Sequence, residues 1–114
     1  MEKTEASMVI YRGYRDSLVG HQLVTKDDDL LMPGPSQKVW NHSPGGFNWG
    51  YGGSGPSQLA LAILLDVTGD ERVAVQHHQT FKWQFVSGWG ERWEISSEQI
   101  LEWLKTREES QCPV

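Results

Sequence analysis

The stretch GYGGSGPSQLALAIL, residues 50–64, decides how the chain is read. Gly50, Gly52 and Gly55 satisfy the dinucleotide-binding pattern G-x-G-x-x-G, and an apolar helical run follows at once. A Rossmann site needs a hydrophobic strand running into the first glycine and an acid about twenty residues further on. Here the preceding residues are NHSPGGFNW, which is loop chemistry, and the second distance falls near Val75 inside another helical run. There is no Walker lysine either. A dinucleotide fold is therefore excluded.

The weaker physical content of the motif survives. The first N–H groups of a helix have no internal partner, and the helix dipole favours negative charge there. Gly52, Gly53 and Gly55 allow close backbone approach to a ligand, and Ser54 adds a hydroxyl donor. Two readings stay open at this point: a structural turn that opens a helix, and an anion site. Phe47, Trp49 and Tyr51 alternate through FNWGY, so a short extended piece would put three rings on one side. Rings beside an anion loop suit a ligand with a planar base and phosphates; alternatively they plug the core. His42 in NHSP is a ligand contact or a turn residue. Arg12 and Arg15 in YRGYR are the nearest cations and reach one ligand only if Gly13 marks a bulge. Arg92 in GWGERW, between Trp89 and Trp93, stacks on a ring or meets a ligand edge.

Outward from this stretch, the first third reads as β: residues 8–15 and 21–26 are β-branched and aromatic, joined by a hairpin-length link. Asp27–Asp29 form a solvated turn, a third short strand lies around Leu30–Met32, and Gln37–Asn41 reads as one more. The remainder reads as α. Pro56 suits the first turn of a helix capped by Ser54 or Gly55, apolar nearly all round and so central and buried. Gly69 terminates it. A second helix starts near Asp70 with Val73, His77, Phe81 and Phe85 as its buried stripe, and Gly88 and Gly90 end it. A third opens with the capping box Ser96/Gln99, with Ile95 stapled onto Ile100. This is an α+β plan: a small N-terminal antiparallel sheet, then about three helices, in one domain over residues 1–114 with flexible ends at 1–7 and 108–114.

With 114 residues and a net charge of −5, the chain has room for one modest core and lacks the basic face that a nucleic-acid polymer requires. No apolar run approaches the ~18 residues of a membrane span. The N-terminus carries no signal-peptide pattern, and the lone Cys112 excludes an internal disulfide, so a cytoplasmic setting is expected. Catalytic and metal constellations are poor. His77-His78 lacks zinc spacing, Asp27–Asp29 lack the frame of a calcium loop, and no nucleophile has a base beside it. No cofactor is called for. Six tryptophans exceed what one small core buries well, which points to a homo-oligomer.

The string YRGYR…NHSPGGFNWGYGGSGPSQLALAILLDVTGD…FKWQFV resembles a family of small bacterial and phage proteins known only as a domain of unknown function. Its hallmark is the core N-H-S-P-x-G-F-x-W-G-Y-G-G-S-G-P-x-Q-L-A with an upstream Y-R-G, and the resemblance covers residues 9–86. It implies no activity. In plan alone the chain is also similar to the phage anti-Thoeris sponges, small oligomeric proteins that sequester cyclic ADP-ribose-type signals without catalysis. That similarity places no residues. The expectation is a non-enzymatic module for a small anionic, nucleotide-like ligand, plausibly a phage sponge that blocks host antiviral signalling. The ligand residues would be Arg12, Arg15, His42, Phe47, Trp49, Tyr51, Gly52, Gly53, Ser54 and Arg92. The alternatives are a protein-binding inhibitor or adaptor of a host defence system, and a nucleotide-processing enzyme.

Overall fold

A computed structural model describes residues 8–111 except 17 and 19. Strands β1 (Ile10–Asp16), β2 (His21–Lys26) and β3 (Asp29–Leu30) form an antiparallel meander. Asp27 makes the tight β2–β3 turn. It adopts a left-handed φ of 54°, which an acidic side chain tolerates, and its Oδ1 accepts from the Ile10 N–H at 2.9 Å. Helices α1 (Gly34–Val39), α2 (Ser54–Thr68) and α3 (Glu71–Gln84) follow, then a 3₁₀ turn at Val86–Gly88. Strand β4 (Arg92–Ser96) returns to the sheet before α4 (Ser97–Gln111) closes the described chain. The strand order is β3-β2-β1-β4, every pair antiparallel.

The architecture is α+β as expected, with two departures. Residues 92–96 form a sheet strand rather than a loop between helices, so the sheet is not wholly N-terminal. Gly13 makes this possible. A Cβ there would fall inside the Trp93 indole, so only a bare backbone lets that ring cross β1. The pairing on both sides of Gly13 runs without interruption, so there is no bulge. The second departure is Gln37–Asn41, expected as a strand. Residues 34–39 form a short helix, entered through Pro33 and Pro35, whose fixed φ suits a first helical turn. The expected flexible ends fall largely outside the described residues, although 108–111 continue α4.

Helix α2 is the centre. Gly55 to Leu64 are all buried, and Leu59, Leu61, Ile63 and Leu64 are fully enclosed. Such a helix has no solvent face and must be wrapped: by the inner sheet face through Tyr11, Val24, Trp93 and Ile95, by α3 through Ala74 and Phe81, and by α4 through Ile100 and Leu104. Its ends follow local chemistry. Gly53, not Ser54 or Gly55, is the N-cap, and Gly69 ends the helix in the left-handed region at φ 66°, its N–H returning to the Leu65 carbonyl at 2.8 Å. Asp70 caps α3 by accepting from the Arg72 and Val73 N–H groups. Ser96 and Gln99 form the reciprocal capping box at 3.0 Å each way.

Near its C-terminal end, α2 is tied to the sheet by Asp66. The Tyr11 hydroxyl donates to Asp66 Oδ2 at 2.6 Å, and Lys26 Nζ donates to Oδ1 at 2.9 Å. Burial first, then the carboxylate beside it, pushes the Tyr11 hydroxyl well above its ordinary value, so it stays a donor. Gly13→Ala tests the β1–Trp93 crossing. We expect a loss of about 1–3 kcal/mol from overpacking, read as a lower urea midpoint. An unchanged midpoint would mean that the indole does not need the bare backbone.

Candidate functional site

The loop from Trp40 to Gly53 is held by polar groups that leave the core sequence as spaced anchors. Gln58, fully buried on α2, is the main one. Its Nε2 donates to Ser36 Oγ at 2.9 Å and to the Trp40 carbonyl at 3.1 Å, and its Oε1 accepts from the Ser43 N–H at 2.9 Å. One amide thereby fixes α1, its exit and the NHSP turn to the central helix. Sequence reading passed over Gln58 because a polar residue in an apolar run gives no signal until its partners are known.

Arg15 anchors the other end. Its guanidinium donates to Asn48 Oδ1 and to the Trp49 carbonyl, both at 2.7 Å, and lies 4.6 Å from the centre of the Trp49 ring. Trp49 itself is 1% exposed, packed edge-on to Trp93, with its indole N–H donating to the Gly90 carbonyl at 2.6 Å. A ring so enclosed has no face to offer a ligand. Each glycine of the pattern has a local task. Gly50 needs its positive φ of 89°, and a Cβ on Gly55 would come within 2.7 Å of Asn48 Cβ and crowd that residue's backbone. Gly53 is extended, with φ −113°, and not left-handed.

The ten expected ligand residues therefore divide. Arg12 pairs with Glu94 at 3.0 Å and Arg92 lies 4.5 Å over the Tyr14 ring, both on the outer sheet face, lining an open depression of about 600 Å³. Uninterrupted β1 pairing sends Arg12 and Arg15 to opposite faces. Phe47 lines a separate groove with Leu31, Met32 and Pro33. FNWGY is not a strand, so its three rings do not share a side. Tyr51, Gly52, Gly53 and Ser54 do come together, at the start of α2. There the Tyr51 ring, 49% exposed, lies on Gly53, while Trp83 from α3, 60% exposed, covers Gly52.

His42 sits one step away, joined by residues the sequence did not single out. Its ring stacks on Trp40 with centroids 4.4 Å apart, and its Nε2 lies 3.0 Å from His78 Nε2. The His78 Nδ1 is 2.8 Å from the Val75 carbonyl. A carbonyl only accepts, so Nδ1 holds the proton and the neutral His78 receives His42 Nε2–H at its other nitrogen. Gln79 Nε2 donates to the same atom at 3.2 Å and to Ser57 Oγ at 3.3 Å. Lys82, one helical turn beyond His78 on α3, completes the group. It is 6% exposed, and among the described residues its ammonium has no hydrogen-bond or carboxylate partner, lying 4.4 Å over Trp83. Burial pushes His42 below the ordinary imidazole value, with the Lys82 charge adding to it. Burial also dominates for His78, where His42 and Lys82 act in the same direction against the opposing Val75 and Ala74 carbonyls.

Fold and site together define a small α+β domain whose antiparallel sheet is covered on one face and whose glycine-rich loop gathers rings and cations at a buried helix start. The chain belongs to the family of unknown function DUF6166, which matches residues 11–106. No curated protein and no solved structure matches it. Among the described residues, no helix is long and apolar enough to cross a membrane, and no group of three or more His, Cys, Asp or Glu could hold a metal ion.

Two predictions follow from the anchors and the histidines. Gln58→Leu removes three hydrogen bonds, one of them to the buried Ser36, and should cost about 3 kcal/mol, measured by chemical unfolding; a loss below about 1 kcal/mol would contradict the anchor role. For pH, both imidazoles titrate lower folded than unfolded, so the unfolded chain takes up protons first on acidification. The stability they contribute is complete above about pH 6.5 and is lost as pH falls through the folded values. The melting temperature in phosphate-free buffer should be level above neutrality and fall below it. A rise on acidification would overturn the neutral pair.

Proposed function

We propose that the protein is a non-enzymatic binding module for a small nucleotide-like signalling ligand of the cyclic nucleotide or cyclic ADP-ribose type. The ligand is taken up where the loop meets the start of α2. One observation carries this reading: two exposed rings, Tyr51 and Trp83, rest on bare glycine backbone beside the first turn of a long buried helix. If the rings swing outward, a planar base can stack on them while the ligand's anionic end meets the unpaired N–H groups of Ser54 and Gly55. A protein with such a site, and with no nucleophile paired to a base among the described residues, would hold its ligand intact. That fits a phage sponge in the cytoplasm of a host cell, removing an antiviral signal, and a homo-oligomer would add sites.

A second reading, a protein-binding inhibitor or adaptor, has its own support in the outer sheet face, where Tyr14, Leu23 and Leu30 stand exposed. A thermal-shift screen of cyclic dinucleotides, cyclic trinucleotides and ADP-ribose derivatives separates the two. Ligand at 100 times Kd should add about 2.7 kcal/mol of stability, and should be recovered unaltered by mass spectrometry. Tyr51→Ala and Trp83→Ala should each weaken binding by about 1–3 kcal/mol while leaving the melting point of the free protein unchanged. A chemically changed ligand would instead make the protein an enzyme, and no shift across the screen would favour the protein-binding reading.

A further inference from the structure

We propose that the free edge of β4 is the interface between two copies of the chain, paired antiparallel about a two-fold axis at Trp93. The inference gives the homo-oligomer of the reading above its contact surface and does not depend on the ligand. The sheet ends in two edges that differ. At one, β3 has two residues and Pro33 follows soon after, the short and proline-flanked form in which sheet edges resist pairing. At the other, β4 has five residues, RWEIS, with no proline, no lysine and an uninterrupted register against β1. The Ser97 N–H donates to the Val9 carbonyl at 2.8 Å, and the Arg15 N–H to the Glu91 carbonyl at 2.9 Å. With that register, the residues of β4 that bond to β1 are Trp93 and Ile95. The backbone groups of Arg92, Glu94 and Ser96 face away from the sheet. The N–H groups of Arg92 and Glu94 have no partner among the described residues, while the Ser96 N–H is held by Gln99 Oε1 at 3.0 Å.

This edge is complementary to itself in one register. Antiparallel pairing about Trp93 sets Arg92 opposite the partner's Glu94, and Glu94 opposite the partner's Arg92. Both are hydrogen-bonded pairs, in which two facing residues exchange N–H and C=O groups. The bonds thus use the groups that a single copy leaves free. Each pair also sets opposite charges side by side on the outer sheet face. Arg92 and Glu94 are both exposed there, and Cβ atoms of facing residues stand about 4.5–5.5 Å apart. Glu94 uses Oε1 on Arg12 at 3.0 Å, and its Oε2 is left for the partner's Arg92. On the inner face the two Trp93 rings stay clear of the axis, since each lies over Gly13 of its own β1. The next register, centred on Glu94, fails twice. It sets Glu94 against its own copy, and it needs the Ser96 N–H that Gln99 already holds. Two-fold symmetry closes the contact, so assembly stops at a dimer whose two four-stranded sheets run on as one.

Sedimentation of the whole protein, without ligand, tests the pairing. The wild type should be a dimer at micromolar concentration and dissociate on dilution. Amide hydrogen exchange read by NMR should show Arg92 and Glu94 protected in the dimer and released on dilution, with Trp93 and Ile95 protected in both states. Arg92→Glu and Glu94→Arg each set like charges opposite one another twice per dimer, and should weaken self-association about tenfold or more. Both variants should melt near the wild-type monomer, because exposed ion pairs contribute little to stability. Mixed in equal amounts, the two should form a heterodimer as tight as the wild-type dimer. One chain then brings two acids to the edge and the other two cations. Glu94→Pro removes an outward N–H without touching a bond to β1, and should give a folded monomer. A wild type that stays monomeric at micromolar concentration overturns the interface. So does a dimer that keeps its strength in both charge reversals, or one whose Arg92 and Glu94 amides stay unprotected; copies then meet through another face. None of these results bears on the nucleotide screen, so the ligand reading stands or falls separately.

Discussion

Helix α2 must hide nearly all of its first ten residues from water, and the rest of the molecule is the means of doing so. A helix buried on one stripe needs one neighbour; a helix buried all round needs a wrapping, and in a chain of 114 residues that takes most of the other elements. The sheet covers it from one side, α3 and α4 from others. Short α1 and the loop that follows cover its N-terminal half. Each covering element then meets the same difficulty. Its own backbone is brought close to a dry interior, and every polar group there must find a partner.

Two side chains meet most of that demand for the loop. Gln58 reaches out of α2 to three partners, and Arg15 reaches from β1 to two more, with the Trp49 ring beneath it. Glycine supplies what side chains cannot. At Gly13 it admits the Trp93 indole, which lets β4 join the sheet, and at Gly55 it lets α2 approach the Asn48 backbone closely. The resemblance to a dinucleotide fingerprint comes from this requirement for close packing between a loop and a helix, met here without the strand that would make it a Rossmann turn.

Lys82 meets the same demand differently. Gln58 is buried with its amide fully hydrogen-bonded and Arg15 is half-buried with two hydrogen bonds, whereas Lys82 covers the Trp83 ring at 4.4 Å and makes no hydrogen bond among the described residues. Its stem is buried while its ammonium keeps contact with water, which is how a long cationic side chain covers apolar surface without losing its hydration.

Much of the helical part was legible in the sequence, because its signals act over three or four residues. The left-handed Gly69, the Asp70 cap, the Ser96/Gln99 box and the buried stripe through His77 and Phe81 all depend on near neighbours, and all stand where the sequence put them. The α+β class followed from the same local reading. Strand β4 was not legible, because RWEIS becomes a strand only by pairing with β1 at the far end of the chain. For the same reason Arg12 and Arg15 could be named as cations but not assigned to faces before the register was known, and Trp49 could be read as a stacking ring before its burial was seen. Of the candidate site, the sequence marked Tyr51 to Ser54 and His42. Gln58, His78, Lys82 and Trp83 needed the packing of α3 on α2, since burial and the lack of a partner belong to what surrounds a side chain and not to the side chain itself.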